Sequence, residues 1–389
     1  MQQIDAVLNQ AVESGDIPGV VAMVATDSGL VYEGAFGTRK LNSGSAMTKD
    51  TVFRIASMTK AVASTAALQL FEQGKFGLDQ PMGEIVPELA NLEVLEGFDA
   101  DGKPKLRPAA RPVTARQLLT HTAGFGYEIW NPALGKYQEV TSSPGVASGK
   151  KSGLKMPLAF DPGERWEYGI NIDWVGQLVE AASGLTLDVY LKQHIFEPLG
   201  MTDTGFVRSA EQNARTASIH QRGEDGTLAP IELELVPDDA EYYSGGHGLN
   251  STTKDYLAFV QMILEGGSHN GAQILKPETV SLMSENHIGK LAAGNMKTAT
   301  PALSNDVQFF PGVVHKHGLG FLINTSAIPG ARSAASLGWA GIFNSYYWID
   351  PTKRVAGVIM MQILPFFDDK AVPVYEQFEK ATYAALGLA

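Results

Sequence analysis

Ile4, Val7, Leu8, Ala11 and Val12 recur at helical spacing, so the chain is predicted to begin with an amphipathic helix. The next segment, "VVAMVATDSGLVYEGAFG", holds two β-rich runs around Asp27, Ser28 and Gly29, the pattern of a hairpin. A second hairpin is predicted in "FNSYYWIDPTKRVAGVIMMQ", with its turn at Asp350, Pro351 and Thr352, and residues 370 to 386 then read as a closing helix. Between these ends, "TARQLLTHTAG", "NIDWVGQLVEAASG" and "TLDVYLKQHIFEPLG" read as capped helices joined by Pro- and Gly-rich loops.

This order predicts an α/β fold in which both chain ends, residues 1–75 and 230–389, build one antiparallel sheet. Helices at the N-terminus, at the C-terminus and over residues 57–73 flank it, and residues 76–229 form a mostly helical inserted domain. A cleft between the two parts is the expected place for a site.

Composition narrows the choice of partner. Over 389 residues, 42 acidic side chains against 30 basic ones give a formal net charge of -12, which disfavours nucleic acid and anionic membrane surfaces. With no cysteine, disulfides, thiolate metal sites and cysteine nucleophiles drop out. The N-terminus lacks the basic and apolar regions of a signal peptide, and the longest apolar stretches fall short of the roughly 20 residues a membrane span needs. A cytoplasmic protein is expected, with no membrane partner.

S-x-x-K occurs four times, at Ser57/Lys60, Ser148/Lys151, Ser152/Lys155 and Ser251/Lys254. The second and third lie in "ASGKKSGLK", which reads as a solvated loop; Ser251 lies in "NSTTKDYLAF", where the hydroxyls read as helix caps and Asp255 follows Thr252 at capping-box spacing. The first differs, because Ala56, Ala61, Val62, Ala63, Ala66, Ala67 and Leu68 make its helix apolar on most sides. A spacing of three puts Ser57 and Lys60 on one face. Burying a lysine is costly, and a catalytic base gains from the cost where a structural lysine does not.

"SMTK", "LLTHTAGFGY", "FDPGERWEYGINIDWVGQLVEAASG", "PLGMTDTGF", "SGGHGLNSTTKDYLAF" and "WAGIFNSYYWIDP" follow one another along nearly the whole chain. In this order they resemble the serine hydrolases that share the fold of class C β-lactamases and penicillin-binding proteins, and most closely the family VIII carboxylesterases. The resemblance implies Ser57 as nucleophile, Lys60 as the lysine that activates it, and Tyr168 as general base for acylation that returns a proton to the leaving group. It places the oxyanion hole at the backbone N–H groups of Ser57 and Ile342. Trp339, Ala340 and Gly341 match a W-G-G variant on the strand lining the cleft.

Two departures bear on the substrate. Class C β-lactamases carry Y-x-N, whereas Tyr168 is followed by Gly169 and Ile170, with Asn171 one place late. They carry K-T-G where this chain has Trp339, so the cation that would meet a substrate carboxylate is replaced by apolar surface. Small-molecule neutral esters are therefore the expected substrates, with Phe125, Tyr127, Trp130, Trp166, Trp339 and Phe343 as candidate pocket aromatics.

No G-x-S-x-G, H-E-x-x-H or G-x-G-x-x-G site is present. His315 and His317 form an H-x-H that strand alternation explains, His121 reads as a structural hydrogen-bonding residue beside the cleft, and "GVASGKK" misses the P-loop spacing by one residue. Neither a cofactor nor a metal is expected. The expectation is a serine carboxylesterase acting through an acyl-enzyme. A β-lactamase, D-alanyl peptidase, amidase or acyltransferase on the same scaffold is the alternative, and a non-catalytic binding module the reading from another class.

Overall fold

The computed structural model describes residues 1–237 and 239–389. Its main sheet has seven antiparallel strands: β1 (Gly19–Thr26), β2 (Gly29–Gly37), β3 (His315–His317), β4 (Leu322–Asn324), β5 (Leu337–Gly341), β6 (Ser345–Asp350) and β7 (Val355–Met360). They lie in the order β3-β4-β5-β6-β7-β1-β2, and the pairing of Val21 with Met360 joins the two chain ends in one sheet. The expected hairpins are β1–β2 and β6–β7.

Every residue of β6 is buried, because both faces of the sheet are covered. Alternation sorts its aromatics. Tyr346 stacks on Tyr375 at 4.4 Å and Trp348 meets Phe378 at 5.5 Å, both on the closing helix Ala371–Ala385. Tyr347 points the other way and meets Tyr256 at 5.3 Å, on the helix Thr253–Leu264. The N-terminal helix, α1 (Gln2–Glu13), packs beside the closing helix; α2 (Thr59–Glu72) packs against α3 (Asn171–Ser183).

The middle of the chain holds the expected helices, including Ala115–Leu119 with a full capping box from Thr114 and Gln117. It also holds two hairpins that the periodicity did not announce, Glu93–Phe98 with Pro104–Pro108 and Ile219–Arg222 with Leu228–Ile231. Their strands are short and their buried positions adjoin rather than alternate, so the period of two is faint. The second hairpin runs through position 230 and pairs in parallel with Ile363–Leu364 beyond the main sheet. One continuous core joins Ile4, Leu118, Val175 and Phe378. No helix among the described residues is long and apolar enough to cross a membrane.

Candidate active site

Strand Val52–Arg54 pairs with Asn250–Thr252 and delivers Ser57 in the 3-10 turn Ala56–Met58, just ahead of α2. Ala56 has φ of 45°, the left-handed region that side chains avoid, so the turn before the nucleophile is held under strain. The Ile55 N–H donates to Leu249 O at 3.0 Å and the Tyr256 hydroxyl to Met58 O at 2.8 Å, fixing it from both sides. Ser57 opens on a cavity of about 210 Å³.

Lys60, one turn into the helix, is only 2% exposed. Its ammonium donates to Ser57 Oγ at 3.1 Å, to the Tyr127 hydroxyl at 3.1 Å and to Gly246 O at 2.7 Å, which uses all three donors. A buried ammonium needs a carboxylate nearby, and Asp173, 0% exposed on α3, supplies it. Asp173 Oδ2 accepts from the Tyr127 hydroxyl at 3.4 Å, while Oδ1 accepts from the Ser244 hydroxyl. Burial first, then Asp173 and Tyr168, push the Tyr127 phenol well above its ordinary pKa, so it remains a donor.

Ser244 Oγ in turn accepts the N–H groups of Gly246 at 3.1 Å and His247 at 3.0 Å, which turns Gly246 O toward Lys60. A Cβ on Gly246 would lie 2.2 Å from Asp173 Oδ2, so only glycine fits. His247 Nδ1 lies 2.8 Å from Ser244 Oγ and 3.6 Å from Asp173 Oδ1.

Tyr168 presents its ring rather than its hydroxyl to the lysine, with Nζ 4.7 Å from the ring centroid. Its hydroxyl accepts from Trp339 Nε1 at 3.2 Å. Trp339, expected to offer apolar surface to substrate, is 7% exposed and stands behind Tyr168 as a hydrogen-bond donor. The late asparagine also acts elsewhere than on substrate. Asn171 Nδ2 donates to Phe125 O at 3.1 Å and lies 3.0 Å from His121 Nδ1, tying the 121–125 loop to the Tyr168 segment. Gly169 permits this contact, since a Cβ there would fall 2.3 Å from Phe125 O. Burial, then His317 and Lys60, hold His121 neutral. His315 and His317 lie buried on β3, and among the described residues no cluster of metal-ligating side chains occurs.

At the end of β5, a Cβ on Gly341 would sit 2.5 Å from Ile55 O, a closeness that brings Ile342 to the cavity holding Ser57. Among the described residues, neither the Ser57 nor the Ile342 N–H donates to a backbone carbonyl. Ser57, Lys60, Tyr127, Tyr168 and Ile342 thus come together, with Ala340 and Gly341 buried on the adjoining strand. Phe125 and Trp166, expected as substrate contacts, do not line this cavity: Phe125 is 0% exposed against Trp174, and Trp166 stacks behind Tyr168 at 6.5 Å. Their places are taken by Ile129, Trp130, Leu233, Leu235, Leu303 and Phe343. Glu128 and Glu234 are its charged lining, and no lysine or arginine among the described residues lines it. A larger polar recess of about 720 Å³, with Arg54, Arg208 and Glu234 in its wall, lies next door without including Ser57.

Asp173, Ser244, Gly246 and His247 were not singled out from sequence. The available signal was electrostatic: a lysine read as buried demands a buried acid, and Asp173 stands five residues after Tyr168 in a matching block.

The protein-family description "Beta-lactamase" matches residues 4–380. Lovastatin esterase of Penicillium rubens is 31% identical over 98% of this chain and 98% of that protein. Monacolin J acid methylbutanoyltransferase of Aspergillus terreus is 32% identical over 98% and 95% respectively. Among solved structures, simvastatin synthase from Aspergillus terreus superposes with a TM-score of 0.87 at 31% identity, covering 99% of this chain and 98% of that one.

Proposed function

The chain belongs to the Beta-lactamase family, as a serine hydrolase of the ester-hydrolysing and acyl-transferring kind, and from that premise we propose that it is a carboxylesterase for neutral esters working through an acyl-enzyme on Ser57. The observation that carries this reading is the contact of Lys60 Nζ with Ser57 Oγ at 3.1 Å inside a largely apolar cavity. Ser57 Oγ attacks the ester carbonyl carbon, its proton passes by way of Tyr168 to Lys60, which is in its amine form at this step, and the N–H groups of Ser57 and Ile342 receive the developing oxyanion. The C–O bond to the leaving alcohol breaks, and water then releases the acid.

The cavity wall supports neutral substrates. Without a lysine or arginine in the lining, and with Glu128 there, a substrate carboxylate finds no cation on the wall and one like charge, since Arg54 and Arg208 pair with the other acid, Glu234. β-Lactams and peptide termini, which carry that group, are disfavoured. Acyl transfer to an alcohol is the second reading, favoured by the similar identity to an esterase and to an acyltransferase.

Hydrolysis of p-nitrophenyl butyrate and of a chromogenic cephalosporin by wild type and Ser57→Ala tests the proposal. Ester turnover lost in Ser57→Ala, with little cephalosporin turnover by wild type, is the expected result. Full activity in Ser57→Ala overturns the site, and faster cephalosporin turnover overturns the substrate class. An added primary alcohol that diverts the acyl group into a new ester identifies the transferase.

A further inference from the structure

The branch from Asp173 to His247 lies outside the chemistry assigned above, although it ends in the same cavity. His247 lines the cavity beside Ser57 and its side chain is 15% exposed. Nδ1 faces two oxygens, Ser244 Oγ at 2.8 Å and Asp173 Oδ1 at 3.6 Å, and these partners assign it the ring proton. Nε2 then carries the lone pair, and it makes no hydrogen bond to any described residue. A histidine oriented by a carboxylate, with its second nitrogen free in a substrate cavity, has the form of a general base.

We propose that His247, held by Ser244 and Asp173, is a second proton-transfer residue of this site and serves the water or alcohol that takes the acyl group off Ser57. The inference rests on the reading of Ser57 as nucleophile. It divides the work by oxygen: Lys60 and Tyr168 serve the oxygen of Ser57, and His247 serves the oxygen of the substrate.

The protons balance over one cycle. In deacylation the attacking O–H forms a bond to the acyl carbon and gives its proton to His247 Nε2. The bond from that carbon to Ser57 Oγ breaks, and Oγ takes a proton from the Lys60 ammonium. In the next acylation Ser57 returns a proton to Lys60, while His247 gives its own to the leaving alkoxide. One positive charge therefore moves between Lys60, which reaches Asp173 through the Tyr127 hydroxyl, and His247, which lies beside Asp173, so one carboxylate stabilises it in either place. While the charge is on Lys60, as in the acyl-enzyme, burial keeps His247 below its ordinary pKa, with Asp173 opposing and Lys60 reinforcing the shift, so the imidazole is neutral and ready to accept.

Stopped-flow hydrolysis of p-nitrophenyl butyrate separates the two halves, because p-nitrophenolate leaves without needing a proton. In His247→Ala and His247→Gln the burst should persist while steady-state turnover falls about 100-fold. A butyryl adduct on Ser57 should then accumulate in intact-protein mass spectra, and added imidazole should restore turnover in His247→Ala. Turnover within about threefold of wild type in both variants overturns the proposal, as does joint loss of burst and turnover that imidazole leaves unrepaired. Ser57→Ala, run alongside, keeps the two readings apart: a burst surviving in that variant defeats the nucleophile assignment, whereas its loss beside unaffected His247 variants defeats only the role of His247.

Discussion

Lys60 bonds the hydroxyl of Tyr127 at 3.1 Å and meets Tyr168 only through the face of its ring. Two tyrosines thus flank one ammonium with different chemistry. Tyr127 joins the lysine to Asp173, whereas Tyr168 keeps its hydroxyl for the cavity and Trp339.

Replacing each phenol by phenylalanine separates these roles. Tyr168→Phe removes the group assigned to proton transfer and is expected to lower kcat/KM for p-nitrophenyl butyrate by about 100-fold or more. Tyr127→Phe leaves that group in place but breaks the link from Lys60 to Asp173, for an expected loss of about tenfold. The reverse ranking, in variants with unchanged circular dichroism, moves the proton transfer to Tyr127.

Gly246 is packed against the carboxylate that balances Lys60. Gly246→Ala is expected to cost about 2 kcal/mol of stability, because its Cβ would displace Asp173, and to depress ester turnover as well. Gly184→Ala is the control: its φ is positive, at 75°, but nothing lies within 4 Å of the added Cβ, so about 1 kcal/mol of stability is lost through the backbone alone and activity is kept. Urea unfolding with parallel assays distinguishes the two; equal loss of activity in both would show that crowding at Asp173 is immaterial.

Burial holds His315 and His317 each at a pKa of about 4, below the ordinary 6.5, with Arg332 adding to the first shift. A histidine whose pKa is lowered by folding binds its proton more readily when unfolded. Stability is therefore complete above pH 6.5 and falls as pH drops toward 4, by about 3 kcal/mol for each residue at the lower end. His317→Gln should flatten the decline. Urea midpoints at about pH 7 and about pH 5 measure it, and parallel pH dependence in wild type and variant would rule His317 out as a source.

Arg332, 5% exposed before β5, pairs with Glu379, 1% exposed on the closing helix, through contacts of 2.7 and 2.6 Å. Neutralising one partner strands the other charge in the core. Glu379→Gln is expected to cost about 3 kcal/mol in urea unfolding, with part of the loss recovered in Arg332→Met/Glu379→Leu. A variant as stable as wild type would mean that the guanidinium finds water or its aromatic neighbours sufficient.

Much of this protein is set by local pattern. The β-rich runs on either side of the turn at Asp350 and helical spacing in the first and last helices do not depend on distant partners, so the sheet from both chain ends and its flanking helices were legible. The contact of Ser57 with Lys60 belongs to the same class, because three residues of helix fix it. The short hairpins at 93–108 and 219–231 left no comparable trace, since in strands of four to six residues the buried positions are neighbours, as at Val94 and Leu95 or Ile219 and His220, and do not alternate. Tertiary structure alone decided which phenol reaches the lysine, that Trp339 backs Tyr168, that Phe125 belongs to the core, and that Asp173 meets Ser244 and His247 of a distant segment. These are relations between side chains more than 40 residues apart in sequence, as from Tyr127 to Asp173 or from Asp173 to Ser244, and periodicity carries no information about distances across a fold.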